Sequence, residues 1–457
     1  MFSLSNRFIK KNFYLFILFS AHFIIPFPSM AGGLSLNDQS ASASGVSNAG
    51  MVASPSDAST VCFNPAGMSR FSGTNISFGN ILLEIDARGR DSQTKATRAD
   101  GQPVSGSGGG DHVKPALVPN AYITHEVNNW LDIGVGMFVP YGLGFDYDNN
   151  FAGRFIGDEV ELVSVGLSPS IAINDGNGFS MAGGVNILYA DAEQKSAVDF
   201  SGIESQFGLP PGSLEDGEVR INGDDVAVEF TFGILWQASA QTALGFSARS
   251  GTEFNLKGDG TIDGFPRASG GSLAQVTVSE PIVVPIEIPM SLSFGVSHGL
   301  FEKLELRAGA TWAKWSEASA LTVLSRADIP VAFPAAAPFS DQVRYWKDTW
   351  QWRIGAIWQY SPTMALKAGY AFDEAPVTTE TRSPVTPFDD SHQISVGAQF
   401  KDIMGEWVVD LFVSRVIYEG DISIDYFPTD PAQGQTSFES EYDVVPWSAG
   451  FQLSRRF

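Results

Sequence analysis

The 457-residue chain carries one cysteine, Cys62, and five histidines, His22, His112, His125, His298 and His392, scattered without ligand spacing. A single thiol excludes an intramolecular disulfide and a cysteine-based metal site. Isolated histidines build no metal centre, so neither a metal nor a cofactor is expected. Basic charge is also scarce, with 28 Lys and Arg against 51 Asp and Glu, a net charge of −23. A chain this acidic is unsuited to nucleic acid, whose phosphates need Lys and Arg. No nucleophile–base–acid constellation can be assembled, so no catalytic residue and no enzyme is expected. Asp259-Gly260-Thr261-Ile262-Asp263-Gly264 loosely follows a calcium loop but lacks the later Glu, and reads as a turn.

Long apolar runs are missing too. The one near the N-terminus, Phe13 to Phe27, is too short for the roughly 20 residues of a membrane helix. Arg7, Lys10 and Lys11 precede it and Ser29-Met30-Ala31 follows. That is the layout of a signal peptide over residues 1–31 cut near Ala31, the alternative being a retained anchor. Cleavage removes three basic residues and takes the net charge from −23 to −26.

What is present is aromatic and apolar: 44% hydrophobic residues, with 34 Phe, 11 Tyr and 10 Trp. An exported chain without membrane helices and with this content has the outline of an outer-membrane β-barrel. Alternation supports it. Trp350, Trp352, Ile354, Ala356, Trp358 and Tyr360 share one face of a strand, opposite Gln351, Arg353, Gly355, Ile357 and Gln359. Aromatics at both ends of the apolar face suit the two membrane interfaces. A soluble β-sandwich also alternates, but has no need of them.

Such runs predict an all-β, 14-stranded antiparallel transmembrane barrel. The strands fall near 74–90, 113–126, 129–141, 160–174, 177–191, 226–239 and 241–256, then 287–298, 303–317, 349–360, 363–376, 391–401, 405–420 and 441–457. Short turns, as at Asn174–Asn177 and Ser361-Pro362, alternate with long connections near 192–225, 257–286, 318–348 and 421–440. Short turns belong to the periplasmic end and long loops to the outside. The last strand alternates through Trp447, Ala449, Phe451 and Leu453 to a terminal Phe457. A final strand ending in Phe resembles the sorting signature read by the barrel-assembly machinery.

One stretch pairs with nothing. Gly32 to Arg70 is rich in Ser, Ala, Gly and Asn and follows neither helical nor strand periodicity. Its small residues suit close packing, and Phe63-Asn64-Pro65-Ala66 reads as a tight turn to which Asn64 and Pro65 supply the chemistry. The organisation expected is a plug over 32–72 inside a barrel over 73–457.

Phe63-Asn64-Pro65-Ala66, Val118-Pro119-Asn120-Ala121, Tyr141-Gly142-Leu143, Ala152-Gly153 and the run from Trp346-Lys347-Asp348 to Glu374-Ala375-Pro376-Val377 resemble, in order and spacing, the FadL/TodX family. These are outer-membrane transporters of long-chain fatty acids and other hydrophobic compounds. The resemblance implies a 14-stranded barrel stoppered by an N-terminal hatch, with a greasy capture site on the outer loops and a tighter pocket beside the hatch. It further implies a lateral exit through the wall, opened by the hatch and a kink in the third strand, without ATP or chemistry. Partners would be a hydrophobic small molecule, outer-membrane lipids and the assembly machinery; the protein would be a monomer.

Candidate residues follow. Asn64, Pro65 and Ala66 would form the hatch turn. Pro140, with Gly134 and Gly136 upstream, would break strand pairing near the lateral opening, since Pro lacks a ladder donor; the alternative is that Pro140 merely ends the strand. Apolar side chains in the outer loops, Phe200, Ile203, Phe207, Leu209, Phe265, Val283 and Ile286, would line the capture groove or close the barrel top. Arg307, Arg353, Lys367 and Asp373 face the lumen and would bind a carboxylate, pair with one another or simply line it. Asp191 stands where the fatty-acid transporters carry a basic residue, which weakens the case for a carboxylate. The runner-up function is a general diffusion porin for polar solutes, which would keep an open lumen.

Overall fold

Fourteen antiparallel strands close into a barrel in the computed structural model, each bonded to its sequence neighbour and the first to the last. The structure describes residues 33–457 apart from 99, 270–271, 319, 329–330, 332–341, 344–345, 380, 404 and 427–435. The expected signal peptide, Gly32 and much of the connections at 318–348 and 421–440 lie outside the described residues.

The wall begins with β1 (Thr74–Gly89), β2 (Ala116–Asn128), β3 (Leu131–Phe138, resuming as Gly142–Asp146), β4 (Glu159–Asn174) and β5 (Phe179–Val198). Next come β6 (Gly217–Gln237), β7 (Thr242–Arg249, resuming as Thr252–Ser269) and β8 (Ser272–Ile288, resuming as Ser291–Phe301). β9 (Leu304–Ala313), β10 (Thr349–Ser361), β11 (Met364–Asp373), β12 (Ser391–Ile403), β13 (Trp407–Tyr418) and β14 (Ser437–Arg456) complete it. Closure is a long ladder from Asn75↔Arg456 to Gly89↔Tyr442. A closed barrel leaves no strand edge for the bilayer to meet.

Alternation sorts the faces as the sequence implies. On β10, Trp350, Trp352, Ile354, Trp358 and Tyr360 are exposed on the outer face, whereas Gln351 and Arg353 are buried. Outside the barrel the apolar side chains meet lipid, and inside the polar ones meet whatever fills the lumen.

Two of the expected long loops prove to be largely strand. β5 and β6 stay paired out to Val198↔Gly217, leaving 199–216, with one short helix, of the connection expected over 192–225. The segment 257–286 is a hairpin, the outer parts of β7 and β8 pairing from Thr252↔Ile288 to Ser269↔Ser272. Gly258, Gly260, Gly264, Pro266, Pro281 and Pro285 disguise it as loop. Pro281 and Pro285 are tolerated because this part of β8 is nearly an edge, met on its far side by the short stretch Leu324–Arg326, whose Arg326 amide donates to the Pro281 carbonyl (2.7 Å). Its inward side chains, among them Phe254, Leu256, Ile262, Ile282, Val284 and Ile288, are buried in the apolar cluster that closes the long-loop end.

Residues 33–72 occupy the lumen. Two single-turn helices, α1 (Ala41–Ser44) and α2 (Thr60–Phe63), and a 3-10 turn at Pro65–Arg70 are their only regular elements. The segment is nonetheless buried almost throughout and bonded to the wall on every side. Ser40 Oγ donates to Gln452 Oε1 (2.7 Å) on β14, Ser47 Oγ to Ser395 Oγ (2.8 Å) on β12 and Ser54 Oγ to Glu305 Oε1 (2.7 Å) on β9. Ser180 Oγ of β5 donates to the Ala66 carbonyl (2.9 Å). Small residues on the wall let the backbones approach. A Cβ at Gly369 would stand 2.1 Å from the Val46 carbonyl carbon, and one at Gly233 would stand 2.1 Å from Asn64 Oδ1.

Candidate functional site

The turn Asn64-Pro65-Ala66 fixes one end of this filling. Asn64 caps the 3-10 turn, its Oδ1 accepting from the Ala66 amide (3.1 Å), and Pro65 suits the first position because it has no amide to satisfy. The Asn64 amide nitrogen reaches the Val52 carbonyl (2.7 Å) and, across the gap that Gly233 leaves, the Ile234 carbonyl of β6 (3.0 Å). One buried side chain thus ties the plug to itself and to the wall.

The four lumen charges are all buried, and all contact the plug. Lys367 Nζ meets Asp410 Oδ1 at 2.6 Å and donates to the Ser42 carbonyl at 2.9 Å. Arg307 Nε pairs with Glu305 Oε1 at 2.9 Å, and its two terminal nitrogens stand 3.5 Å from Ser56 Oγ. Arg353 spends its bonds on uncharged partners, Thr311 Oγ1 (2.9 Å), Asn37 Oδ1 (3.3 Å) and Gln351. Asp373 accepts from Gln351 Nε2 (2.8 Å) and more distantly from Asn37 Nδ2 (3.5 Å). Buried charges need such partners. Lys367 is held by a carboxylate and a carbonyl, whereas Arg353 lines open space.

That space is divided by the stretch Leu34–Asn37. An inner cavity of about 900 Å³ touches Ser35, Leu36, Asn37, Arg353, Arg249, Phe138, Pro140 and Tyr141. A neighbouring one of about 710 Å³ runs from the same stretch past Asp38, Asp373 and Gln393 to Ser448. Towards the long-loop end lies a cavity of about 650 Å³ with Leu34, Leu143, Val160, Leu162, Ile221, Leu256, Val284, Ile286 and Val385 on its walls. Glu161, Glu193 and Asn222 also border it, but they sit one residue off the buried positions Leu162 and Ile221 or share the outward face of β5. With Gln194 also on its wall, the outer cavity is mostly apolar, whereas the two inner ones mix polar and apolar walls.

The wall is interrupted beside the inner cavity. β3 and β2 pair from Asn128↔Leu131 to Ala121↔Met137, after which no described pair joins the two. Residues Ala116–Asn120 of β2 retain only part of their bonding, through β1 at Leu83↔Ala116 to Gly79↔Asn120. On its other side β3 runs opposite β4, with Phe138↔Gly166 and then Gly142↔Val163. Three residues, 139–141, there oppose two, a bulge built around Pro140. The freed main-chain groups go to the N-terminal segment. The Leu36 amide donates to the Pro140 carbonyl (2.9 Å), the Gly142 amide to the Leu34 carbonyl (3.1 Å), and Gln39 bonds both the Val139 amide (3.3 Å) and its carbonyl (2.6 Å).

Pro140 is thus at the break, but Gly134 and Gly136 are not. Both lie within unbroken ladders to β2 and β4. Their place is explained by packing: a Cβ at Gly134 would stand 2.5 Å from Met68 Sδ, and one at Gly136 2.9 Å from the Tyr122 ring. Of the capture candidates, Ile286 lines the apolar cavity, and Phe200, Ile203 and Phe265 belong to the cluster that encloses it. Leu209 and Val283 are half-buried, Val283 within a ladder pair to Leu324. Phe207 stands 60% exposed.

The sequence and fold resemble those of proteins already described. A family model, "Outer membrane protein transport protein (OMPP1/FadL/TodX)", matches residues 24–457. The chain belongs to this family. It is 28% identical to the putative outer membrane protein NMB0088 of Neisseria meningitidis serogroup B, over 76% of the chain and 78% of that protein. It is 22% identical to the long-chain fatty acid transport protein of Escherichia coli K12, over 82% and 86%. A crystal structure of a Pseudomonas aeruginosa FadL homologue superposes with a TM-score of 0.83 at 19% identity, covering 93% of this chain and all of that one. The protein is accordingly an outer-membrane transporter of hydrophobic compounds and not an enzyme.

Sequence reasoning passed over three residues of the site. Arg249, Glu229 and Gln39 all sit at the break or on the inner cavity. Glu229 and Arg249 occupy the inward face of alternating strands, so the test that found Arg353 would have found them. Gln39 carried no signal, because its role depends on where an aperiodic segment folds.

Proposed function

We propose that this transporter moves hydrophobic small molecules, long-chain fatty acids foremost, passively from the outer loops to the membrane through the gap between β2 and β3. The observation that carries the reading is a break in the ladder: residues 116–120 and 138–141 do not pair with one another, a cavity lies beside them, and the N-terminal segment takes up the main-chain groups next to Pro140. A ligand would be captured at the long-loop end among Phe200, Ile203, Phe207, Leu209, Phe265, Val283 and Ile286, then pass the apolar cavity. It would cross Leu34–Asn37 to the inner cavity beside the hatch of residues 32–72, whose turn Asn64-Pro65-Ala66 stays anchored. Each methylene removed from water gains roughly 0.8 kcal/mol, so an apolar route extracts an amphiphile that a watery pore would not. Of the four lumen charges picked out from the sequence, Arg353, whose bonds go to uncharged groups, is the best placed to meet a carboxylate. Arg307, Lys367 and Asp373 hold the plug.

The reading includes a signal peptide cut near Ala31, a monomeric barrel, and delivery by the assembly machinery through the strand ending at Phe457. The test is mass spectrometry of ligands that co-purify in mild detergent, with flux of a long-chain fatty acid and of polar sugars into liposomes. Hydrophobic ligands and fatty-acid flux are expected, and deletion of residues 33–66 should open the barrel to sugars. Sugar flux through the intact protein, unchanged by the deletion, would instead identify a diffusion porin.

A further inference from the structure

Arg249 touches three parts of the machinery at once. It ends the first half of β7, and its guanidinium borders the inner cavity. One terminal nitrogen donates to the carbonyl of Cys62 in the plug at 2.7 Å. The other stands 3.6 Å from Glu229 Oε2, and the guanidinium carbon lies 5.7 Å from the centre of the Phe138 ring, the last residue of β3 before the break. Glu229 is completely buried. Besides Arg249 it accepts from Asn186 Nδ2 (2.5 Å) and from the hydroxyl of Tyr141 (3.2 Å), the residue just past Pro140. Plug, cavity and both sides of the break therefore converge on one cation.

We propose that Arg249 is a positioning residue that couples the plug to the third strand, and that an anionic or strongly polar head group entering the inner cavity unlocks both by competing for it. The physical reason is the quality of its bonds. The pair with Glu229 is long for a charge-assisted contact, which prefers about 2.7–2.9 Å, and on the plug side the acceptors are the Cys62 carbonyl and, at 3.5 Å, the Cys62 sulfur. A carboxylate in the cavity offers the planar fork a closer bidentate partner. Its arrival frees the Cys62 carbonyl, and Glu229, losing its cation, redirects towards Asn186 and Tyr141 and shifts the strand at the break. The inference rests on lateral release as the transport route, but concerns how that route is controlled.

The experiment follows backbone hydrogen exchange in segments 58–66 and 138–146 of the full chain in lipid nanodiscs. Dodecanoate and 1-dodecanol serve as probes, and their binding is read independently by tryptophan fluorescence. Arg249→Lys keeps the charge but cannot span both acceptors. It should raise exchange in both segments about tenfold, the loss of one bond to a charged group. Dodecanoate should raise exchange in both segments of the wild-type protein, dodecanol should not, and Arg249→Lys should remove the response. Tyr141→Phe, the milder change, should loosen 138–146 alone and add less than independently to Arg249→Lys. Loosening of 58–66 alone in Arg249→Lys would reduce Arg249 to a plug contact and overturn the coupling. So would dodecanoate that binds without altering exchange, a result that leaves the transport reading standing. If neither probe binds, the coupling and the transport reading fail together.

Discussion

Where the N-terminal segment meets β11, a buried lysine carries the contact; where it meets β3, main-chain groups and one glutamine do. On the β11 side the wall is continuous, and Lys367 joins Asp410 and the Ser42 carbonyl with both charges almost wholly out of solvent. On the β3 side the ladder is broken, and its loose ends are met by Leu34, Leu36 and Gln39. Ion pairs in a dry interior are costly to separate, whereas neutral bonds exchange for others at a net cost of about 1 kcal/mol each. The difference is one of bond type, a buried charge pair at β11 against neutral bonds at β3, and the proposed transport route has the plug stay at β11 and detach at β3.

The comparison can be broken most forcefully from its firm side. Lys367→Met strands Asp410 without its cation and should cost about 3–5 kcal/mol, seen as a lower unfolding midpoint of the whole barrel in detergent. A change below 1 kcal/mol would mean that the plug is not anchored there.

Acid should act on the opposite side. His112 packs in a stack of rings, 4.2 Å from Tyr147, which continues the chain just after β3 and lies 3.9 Å from Phe151. Burial pushes its imidazole down to about 4 from the ordinary 6.5, a backbone bond to Gly110 offsetting only part of this. The unfolded chain binds the proton first, so stability is full above about pH 6.5, falls as pH drops towards 4 and then levels, a loss on the order of 3 kcal/mol. Exchange in 103–151 should rise over that window and exchange in β11 should not; His112→Phe should abolish the dependence.

Gly233→Ala sharpens the picture at the turn. A methyl group there collides with Asn64 Oδ1, and overpacking of this kind costs about 1–3 kcal/mol. Exchange should increase through 64–70 while the β3 contacts stay protected. The smallest effect is expected from Gln39→Ala, about 1–2 kcal/mol for the lost amide bonds. It should appear as faster exchange at Val139 alone, with the unfolding midpoint nearly unmoved.

The barrel was legible in the sequence because lipid and lumen impose opposite demands at a period of two, written plainly in Trp350–Tyr360. The outer hairpin of β7 and β8 was not, because its glycines and prolines carry loop chemistry while the pattern Phe254, Leu256 and Val284, Ile286 carries strand. Asn64, Pro140 and Arg353 could be picked out singly, each breaking a local expectation. What linked them lay beyond reach. Gly134 and Gly136 looked like breakers of the strand that Pro140 ends, yet they are gaps shaped by Met68 and Tyr122, partners fixed only once residues 33–72 fold into the lumen.

The most direct test of detachment at β3 is a reversible staple. Ser35 and Tyr141 face each other as bridge partners across the contact. Ser35→Cys with Tyr141→Cys, in a Cys62→Ser background, should form a disulfide that ties the plug to the broken strand. Uptake of a radiolabelled long-chain fatty acid by cells should stop when the pair is oxidised and return on reduction. Uptake that continues unchanged through the oxidised protein would contradict the account.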